Sequence, residues 1–168
     1  MQDETLSRLR GLAGIVTGAG RGIGEGCAVT LAGHGSRLLL ADLDEARLAA
    51  LADKILADGG EATTQVTDVR DWSQVELMAD ACEQAYGSVD FVVANAGIGD
   101  YSALDTGDPE RWRRVVETNF LGVLHTVRAT FPRMKERGRG HIVLMASIAG
   151  RQTWVGEPVY IATKWAVV

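Results

Sequence analysis

Basic charge, cysteine, histidine and long apolar runs are all scarce in this chain of 168 residues, and each shortage closes off a class of function. Lys and Arg number 17 against 22 Asp and Glu, a net charge of −5, with a pI near 5.2. A nucleic-acid binder would carry a basic stripe, so no nucleic-acid partner is expected. No apolar run approaches the roughly 20 residues that a helical bilayer span needs, so no membrane partner is expected either. The opening residues Met1-Gln2-Asp3-Glu4-Thr5 lack the basic and apolar segments of a secretory signal, which points to the cytoplasm. Cys27 and Cys82 form no CxxC pair and read as two buried free thiols in a reducing compartment. His34, His125 and His141 have no metal-ligand spacing with each other or with cysteine, so no metal is assigned. The length suits one domain, residues 1–168, with a real core.

What the chain does have is glycine in one dense stretch, Thr17-Gly18-Ala19-Gly20-Arg21-Gly22-Ile23-Gly24. The apolar run Leu12 to Val16 before it reads as a buried strand, and Cys27, Ala28, Val29, Leu31 and Ala32 after it as helix. A strand, a glycine turn and a helix in that order make a phosphate cradle. The glycines permit positive φ and close backbone approach. The helix then aims its first N–H groups and the positive end of its dipole at an anion. A ligand-free tight turn is the alternative for such a cluster. Asp42 weighs against it: it lies eighteen residues past Gly24, at the end of a second apolar run, Leu38 to Ala41. An acid so placed can accept hydrogen bonds from an adenosine ribose.

Strands are expected at about 12–17, 36–41, 61–67, 89–94 and 141–146, with helices between them. Residues 1–10 read as a loose polar lead-in. Helix signals are plain at Asp44 and Asp71 as N-caps, at Gly59-Gly60 and Gly87 as stops, and at Asp108-Pro109 and Pro158 as starts. Trp72, Val75, Leu77, Met78 and Ala81 are expected to face the sheet. One long helix from Pro109 should carry Trp112, Val115, Val116, Asn119, Phe120, Val123 and Val127 on one face, with its end bent at Pro132. Strands alternating with helices predict an α/β fold: a doubly wound parallel sheet in three α/β/α layers.

Tyr160 and Lys164 are four apart on the last helix and share a face. A free phenol titrates near pH ~10, and an ammonium beside it favours the phenolate, which suits acid–base work near neutrality. An ordinary Tyr/Lys surface pair has the same spacing. Ser147 follows the fifth strand, at the sheet's carboxyl end where ligands sit in such folds; a plain capping serine is its alternative. Asn95-Ala96-Gly97 follows the fourth strand at the same end, where a β-to-loop turn also favours Asn and Gly. Asn119, on an apolar helix face, either satisfies itself in the core or holds a water for proton relay.

Together, Thr17-Gly18-x-x-x-Gly22-x-Gly24, Asp68, Asn95-Ala96-Gly97, Asn119, Ser147 and Tyr160-x-x-x-Lys164 resemble the short-chain dehydrogenase/reductase family. The resemblance runs from about Leu12 to the end. It departs at Ala94, where the family more often has a second Asn, and at the C-terminal side, where members continue with further strands and a substrate-covering segment. The resemblance implies a Rossmann sheet of order 3-2-1-4-5, its C-terminal strands missing. It implies reversible hydride transfer between NAD(P) and a secondary alcohol or ketone, in a homo-oligomer (dimer or tetramer) when full length. Gly18, Gly22 and Gly24 would then approach the pyrophosphate, with Arg21 and Ile23 also binding the cofactor. Asp42 would take the ribose, Asp68 and Val69 the adenine edge, and Asn95 and Gly97 the length of the cofactor. Tyr160 would be the acid/base. Lys164 would lower its pKa and bind the nicotinamide ribose. Ser147 would hold the substrate oxygen and Asn119 the relay water.

A carboxylate at the ribose repels a 2′-phosphate, so Asp42 favours NAD over NADP; Arg21 is the contrary hint. Ile98, Tyr101, Trp154 and Val155 suggest an apolar wall for a hydrophobic or ring-shaped substrate, or else pack loop on loop. Two other readings stand beside the enzyme: a non-catalytic nucleotide-binding or interaction protein made from a shortened dehydrogenase, and an incomplete gene. With strand five as an apolar sheet edge, residues 1–168 made alone are expected to self-associate, bind NAD weakly and show no alcohol oxidation.

Overall fold

The structure, a computed structural model, describes residues 8–168; most of the expected lead-in, residues 1–7, lies outside them. Strands and helices alternate: β1 (Ala13–Thr17), α1 (Gly22–Gly33), β2 (Arg37–Asp42), α2 (Glu45–Ala57), β3 (Glu61–Val66), α3 (Trp72–Tyr86) and β4 (Phe91–Ala94). Then come α4 (Pro109–Val116), a π-helical turn (Glu117–Leu121), α5 (Gly122–Glu136), β5 (His141–Leu144), a 3₁₀ turn (Ile148–Gly150) and α6 (Pro158–Val167). All strand pairs are parallel, in the order β3-β2-β1-β4-β5 that the sequence led us to expect.

The apolar strands β1, β2 and β4 are buried on both faces, as central parallel strands are when helices cover both sides. Ile15, Leu39 and Val92 lie opposite one another in register and point to one face, where α3 supplies Val75, Met78 and Cys82 and α5 supplies Ala129 and Met134. Their neighbours Val16, Leu38, Leu40 and Val93 point to the other face, against Ala28 and Ala32 of α1 and Leu48, Leu51 and Ile55 of α2. Gly14 is required by packing: a Cβ there would sit 2.1 Å from ring atoms of Phe91. Burial pushes the Cys82 thiol up to about 12, so it is a neutral core group, whereas Cys27 is only half-buried. Among the described residues no helix is long and apolar enough to cross a membrane.

Three sequence expectations shift. On α3, Leu77 (57% exposed) and Trp72 face outward, and Ala79 and Cys82 fill the sheet-facing positions instead. Trp72 packs edge-on to His125 and under Arg128. The long helix is interrupted by the π turn, which adds a residue to one turn and rotates the rest of the helix. Val116, just before the π turn, points out beside buried Val115, while beyond it Thr126 and Thr130 are buried, each donating its hydroxyl to the carbonyl four residues back. The helix runs on through Pro132 to Glu136. Finally, β5 stops at Leu144 and is half exposed along its length, since it forms the sheet edge.

At the opposite end of the sheet from the strand carboxyl termini, Asp90 ties β1, β4 and α5 together. Its Oδ2 accepts from the Ala13 N–H (2.9 Å) and the Ser88 hydroxyl (3.0 Å), and its Oδ1 from Arg137 (2.5 Å). Burial alone would raise this carboxyl; the hydrogen bonds outweigh it and hold the group below the usual carboxylate range. Asp90→Ala is therefore expected to cost about 3 kcal/mol in urea melts at neutral pH, because it strands a half-buried Arg and a buried N–H. Because the folded value is depressed, the stabilisation is full above the unfolded value of about 4 and is lost as pH falls through the folded one. Melts across the acid range should show a flatter decline for the Asp90→Ala variant than for the parent.

Candidate active site

The glycine turn joins β1 to α1 at the carboxyl end of the sheet, next to β4, where the strand order reverses direction. A cleft of about 1360 Å³ opens there. Such a crevice forms where neighbouring connections leave on opposite faces of the sheet. Gly18 and Gly22 adopt positive φ, +65° and +60°. Around Gly22 a Cβ would meet nothing within 4 Å, so its missing side chain serves an open space. At Gly24 a Cβ would lie 2.1 Å from the Gly18 carbonyl oxygen, so α1 can begin this close to β1 only with glycine there.

The first turn of α1 differs from those of α2, α3 and α4. Asp44, Asp71 and Asp108 each accept a backbone N–H at the start of those three helices. Arg21, at the start of α1, gives no side-chain cap, and the first N–H groups of α1 border the cleft uncapped. That is the donor set an anionic group such as a pyrophosphate requires. The Asp42 carboxylate borders the same cleft. It accepts from the Gly20 N–H (2.9 Å) and from those of Leu43 (2.8 Å) and Asp44 (3.2 Å), which fixes it beside the turn. Arg21 and Ile23 are exposed at the rim.

Two joints hold the segment after β4. Thr17 Oγ1 accepts the N–H groups of Asn95 (3.0 Å) and Ala96 (3.1 Å), and Asn95 Nδ2 donates to the carbonyls of Thr17 (3.0 Å) and Gly18 (3.1 Å). Further on, fully buried Asn119 accepts the Ile98 N–H (2.8 Å) and donates to the Ile98 carbonyl (2.9 Å) and to Thr163 Oγ1 (3.3 Å). Asp68 is gripped by Arg70, whose Nη2 lies 2.6 Å from Oδ2; that hydrogen bond holds the Asp68 carboxyl below its ordinary range. Val69 is buried against the cleft floor.

At the far end, Ser147 caps the 3₁₀ turn by accepting the Ala149 N–H (3.2 Å). Its hydroxyl hydrogen stays free for another acceptor. Lys164 is buried, and burial lowers its pKa. Its Nζ donates to the Met145 carbonyl (2.7 Å) and sits 5.8 Å from the centre of the Tyr160 ring. Ser147, Tyr160 and Lys164 border the same cleft as Gly18, Gly22, Asp42, Asn95 and Gly97. Gly24 and Asn119 do not line it; they support it from behind. Sequence reasoning passed over Thr17 as a side chain, the Met145 carbonyl and Glu157. Thr17 opens the glycine motif and was the one of these with a visible signal.

The sequence pattern of the family described as short chain dehydrogenase matches residues 13–168. An uncharacterized oxidoreductase of Listeria innocua is 37% identical over 153 residues, 91% of this chain and 62% of that protein. A short chain dehydrogenase/reductase from Burkholderia phymatum, solved in complex with NAD, superposes with a TM-score of 0.92 at 37% identity, covering 95% of this chain and 57% of that one. A metagenomic short-chain oxidoreductase in complex with NADP gives a TM-score of 0.90 at 34% identity, covering 95% and 72%. The chain thus spans roughly three fifths of the length of the Listeria and Burkholderia proteins.

Two helical glycines give a controlled test of the cradle. In a helix interior Gly→Ala ordinarily stabilises by up to about 1 kcal/mol. Gly26→Ala, whose Cβ meets nothing within 4 Å, should do so. Gly24→Ala should instead lower stability and weaken binding of a dinucleotide, read by thermal melts and by fluorescence titration with NADH.

Proposed function

This chain belongs to the short-chain dehydrogenase/reductase family, and we propose that it is an oxidoreductase interconverting a secondary alcohol and its ketone with NAD. The nicotinamide dinucleotide, when bound, supplies or accepts the hydride. The residues fit such a group: the uncapped start of α1 and the open space at Gly22 suit a pyrophosphate, and Asp42 suits ribose hydroxyls. The reading takes Arg21 and Ile23 as rim contacts of the pyrophosphate, Asp68 and Val69 as the adenine edge, and Asn95 and Gly97 as the wall along the cofactor.

The observation that supports catalysis most is the common cleft: Ser147, Tyr160 and Lys164 border it together with the glycine turn. In the reducing direction the Tyr160 hydroxyl gives its proton to the ketone oxygen; in the oxidising direction its oxygen takes the alcohol proton. Ser147, its own oxygen already accepting from Ala149, donates its hydrogen to the same substrate oxygen. Lys164, held by Met145, keeps its ammonium beside Tyr160 and is a donor for the nicotinamide ribose. Asn119, both ends of its amide bonded within the protein, braces the Ile98 segment against α6. Exposed Leu121, Leu124 and Phe131 suit the homo-oligomeric assembly expected of the whole protein.

The native polypeptide is assayed by NADH absorbance against a panel of secondary alcohols and ketones. Tyr160→Phe should lower turnover by about 10²–10⁴-fold with cofactor affinity retained. Lys164→Ala should lower both. Near-normal turnover of Tyr160→Phe would sink the assignment.

Cofactor choice has its own test. The Asp42 carboxylate disfavours a 2′-phosphate, so NAD should bind more tightly than NADP, and Asp42→Ala should narrow the gap. Equal affinities in the parent, or a preference for NADP, would hand the choice to Arg21.

A further inference from the structure

We propose that Glu157 is a positioning residue whose carboxylate holds the Trp154 indole as a wall of the reaction chamber, and that this wall favours substrates carrying a ring next to the carbinol carbon. The proposal rests on the oxidoreductase reading and extends it to the substrate. Glu157 occupies the residue just before α6, where a side chain ordinarily serves the helix's open N–H groups. It makes no such bond. Its Oε2 instead accepts the Trp154 indole N–H at 2.5 Å. A hydrogen bond to an ionised acceptor is among the stronger kinds, so the indole is held in orientation as well as in place.

The backbone is built for that meeting. Gly156 has φ +105°, and the reversal there brings residues 154 and 157 side by side. Little else restrains the indole: Trp154 is 41% exposed and its neighbour Val155 is 98% exposed. Glu157 lies three residues before Tyr160, and both border the cleft. Trp154 and Glu157 both border the cleft, and Ile98 and Tyr101 border it from the segment after β4. That segment has a latch of its own: buried Asp100 binds Arg111 (2.9 Å) and Ser102 (2.6 Å), and Ser102 accepts the Trp112 indole N–H (3.1 Å). An indole bordering the same cleft as these apolar side chains gains most from a flat or cyclic group and little from a short linear one.

The test uses the native polypeptide with NAD, cyclohexanol and 2-propanol. Trp154→Phe keeps a ring and loses the N–H, Glu157→Ala loses the acceptor, and Glu157→Gln keeps an acceptor oxygen. The first two should lower the cyclohexanol-over-2-propanol ratio of kcat/KM by roughly tenfold, the loss falling on KM. Glu157→Gln should recover most of it. An unchanged ratio, or equal losses of kcat on both alcohols, would overturn the wall. If the parent turns over no alcohol or ketone with either dinucleotide, the oxidoreductase reading fails. Calorimetric binding of cyclohexanone then decides the wall separately: weaker binding by Glu157→Ala supports it, and equal binding refutes it.

Discussion

The Asn95 side chain bonds the end of β4 to the turn that leaves β1, donating to the Thr17 and Gly18 carbonyls while Thr17 Oγ1 takes the N–H groups of Asn95 and Ala96. Those two strands are neighbours at the point where the sheet order reverses, and nothing in the ladder itself ties their carboxyl ends together beyond Val16 and Val93. The joint satisfies polar groups that the cleft would otherwise leave open, and it fixes the spacing between the glycine turn and the Asn95–Gly97 wall. Gly18 has to be glycine for the same reason: its Cβ would come 2.8 Å from Ala96 Cα. The position of α1, the direction of its uncapped N–H groups and the width of the cleft all depend on that close approach.

Polar groups elsewhere in the fold are spent on structure first, and the cleft is built from what they leave over. Asp42 fixes the glycine turn and still presents its carboxylate to the cleft. Ser147 caps a turn through its oxygen and keeps its hydrogen. Lys164, buried and tied to Met145, has its charge disfavoured by burial and compensated by one carbonyl, which leaves it donors to share. Asn119 is the exception: fully buried, its amide bonded to Ile98 and Thr163, it does not border the cleft. A structural duty and a chemical one are therefore compatible for side chains that reach the cleft with a bonding site to spare, and they exclude each other where the side chain is buried behind it.

Much was legible in the sequence because it rests on local chemistry. Alternation of apolar strands with capped helices gave the element order. Asp44, Asp71 and Asp108 marked helix starts because a short acceptor side chain satisfies the first N–H groups wherever it occurs. The glycine spacing and Asp42 pointed to a dinucleotide because only a small set of residues lets a backbone approach a pyrophosphate. The strand order came from the family resemblance, and the sheet has that order.

Tertiary structure decided what depends on partners distant in sequence. The π turn put Thr126 and Thr130 in the core, because one inserted residue changes the phase of everything after it, and hydrophobic spacing carries no record of it. Leu77 lost its place to Cys82 because helix rotation is set by the facing sheet, not by the helix's own composition. The acceptor of Lys164 is a main-chain carbonyl nineteen residues away, and backbone acceptors are the same in every residue type. The sequence by itself thus determined the kinds of elements and the chemistry they carry. Which side chains meet, Glu157 with Trp154 and Asn95 with Thr17, was decided by packing, since only the closed sheet and its turns set distances between residues that the chain keeps apart.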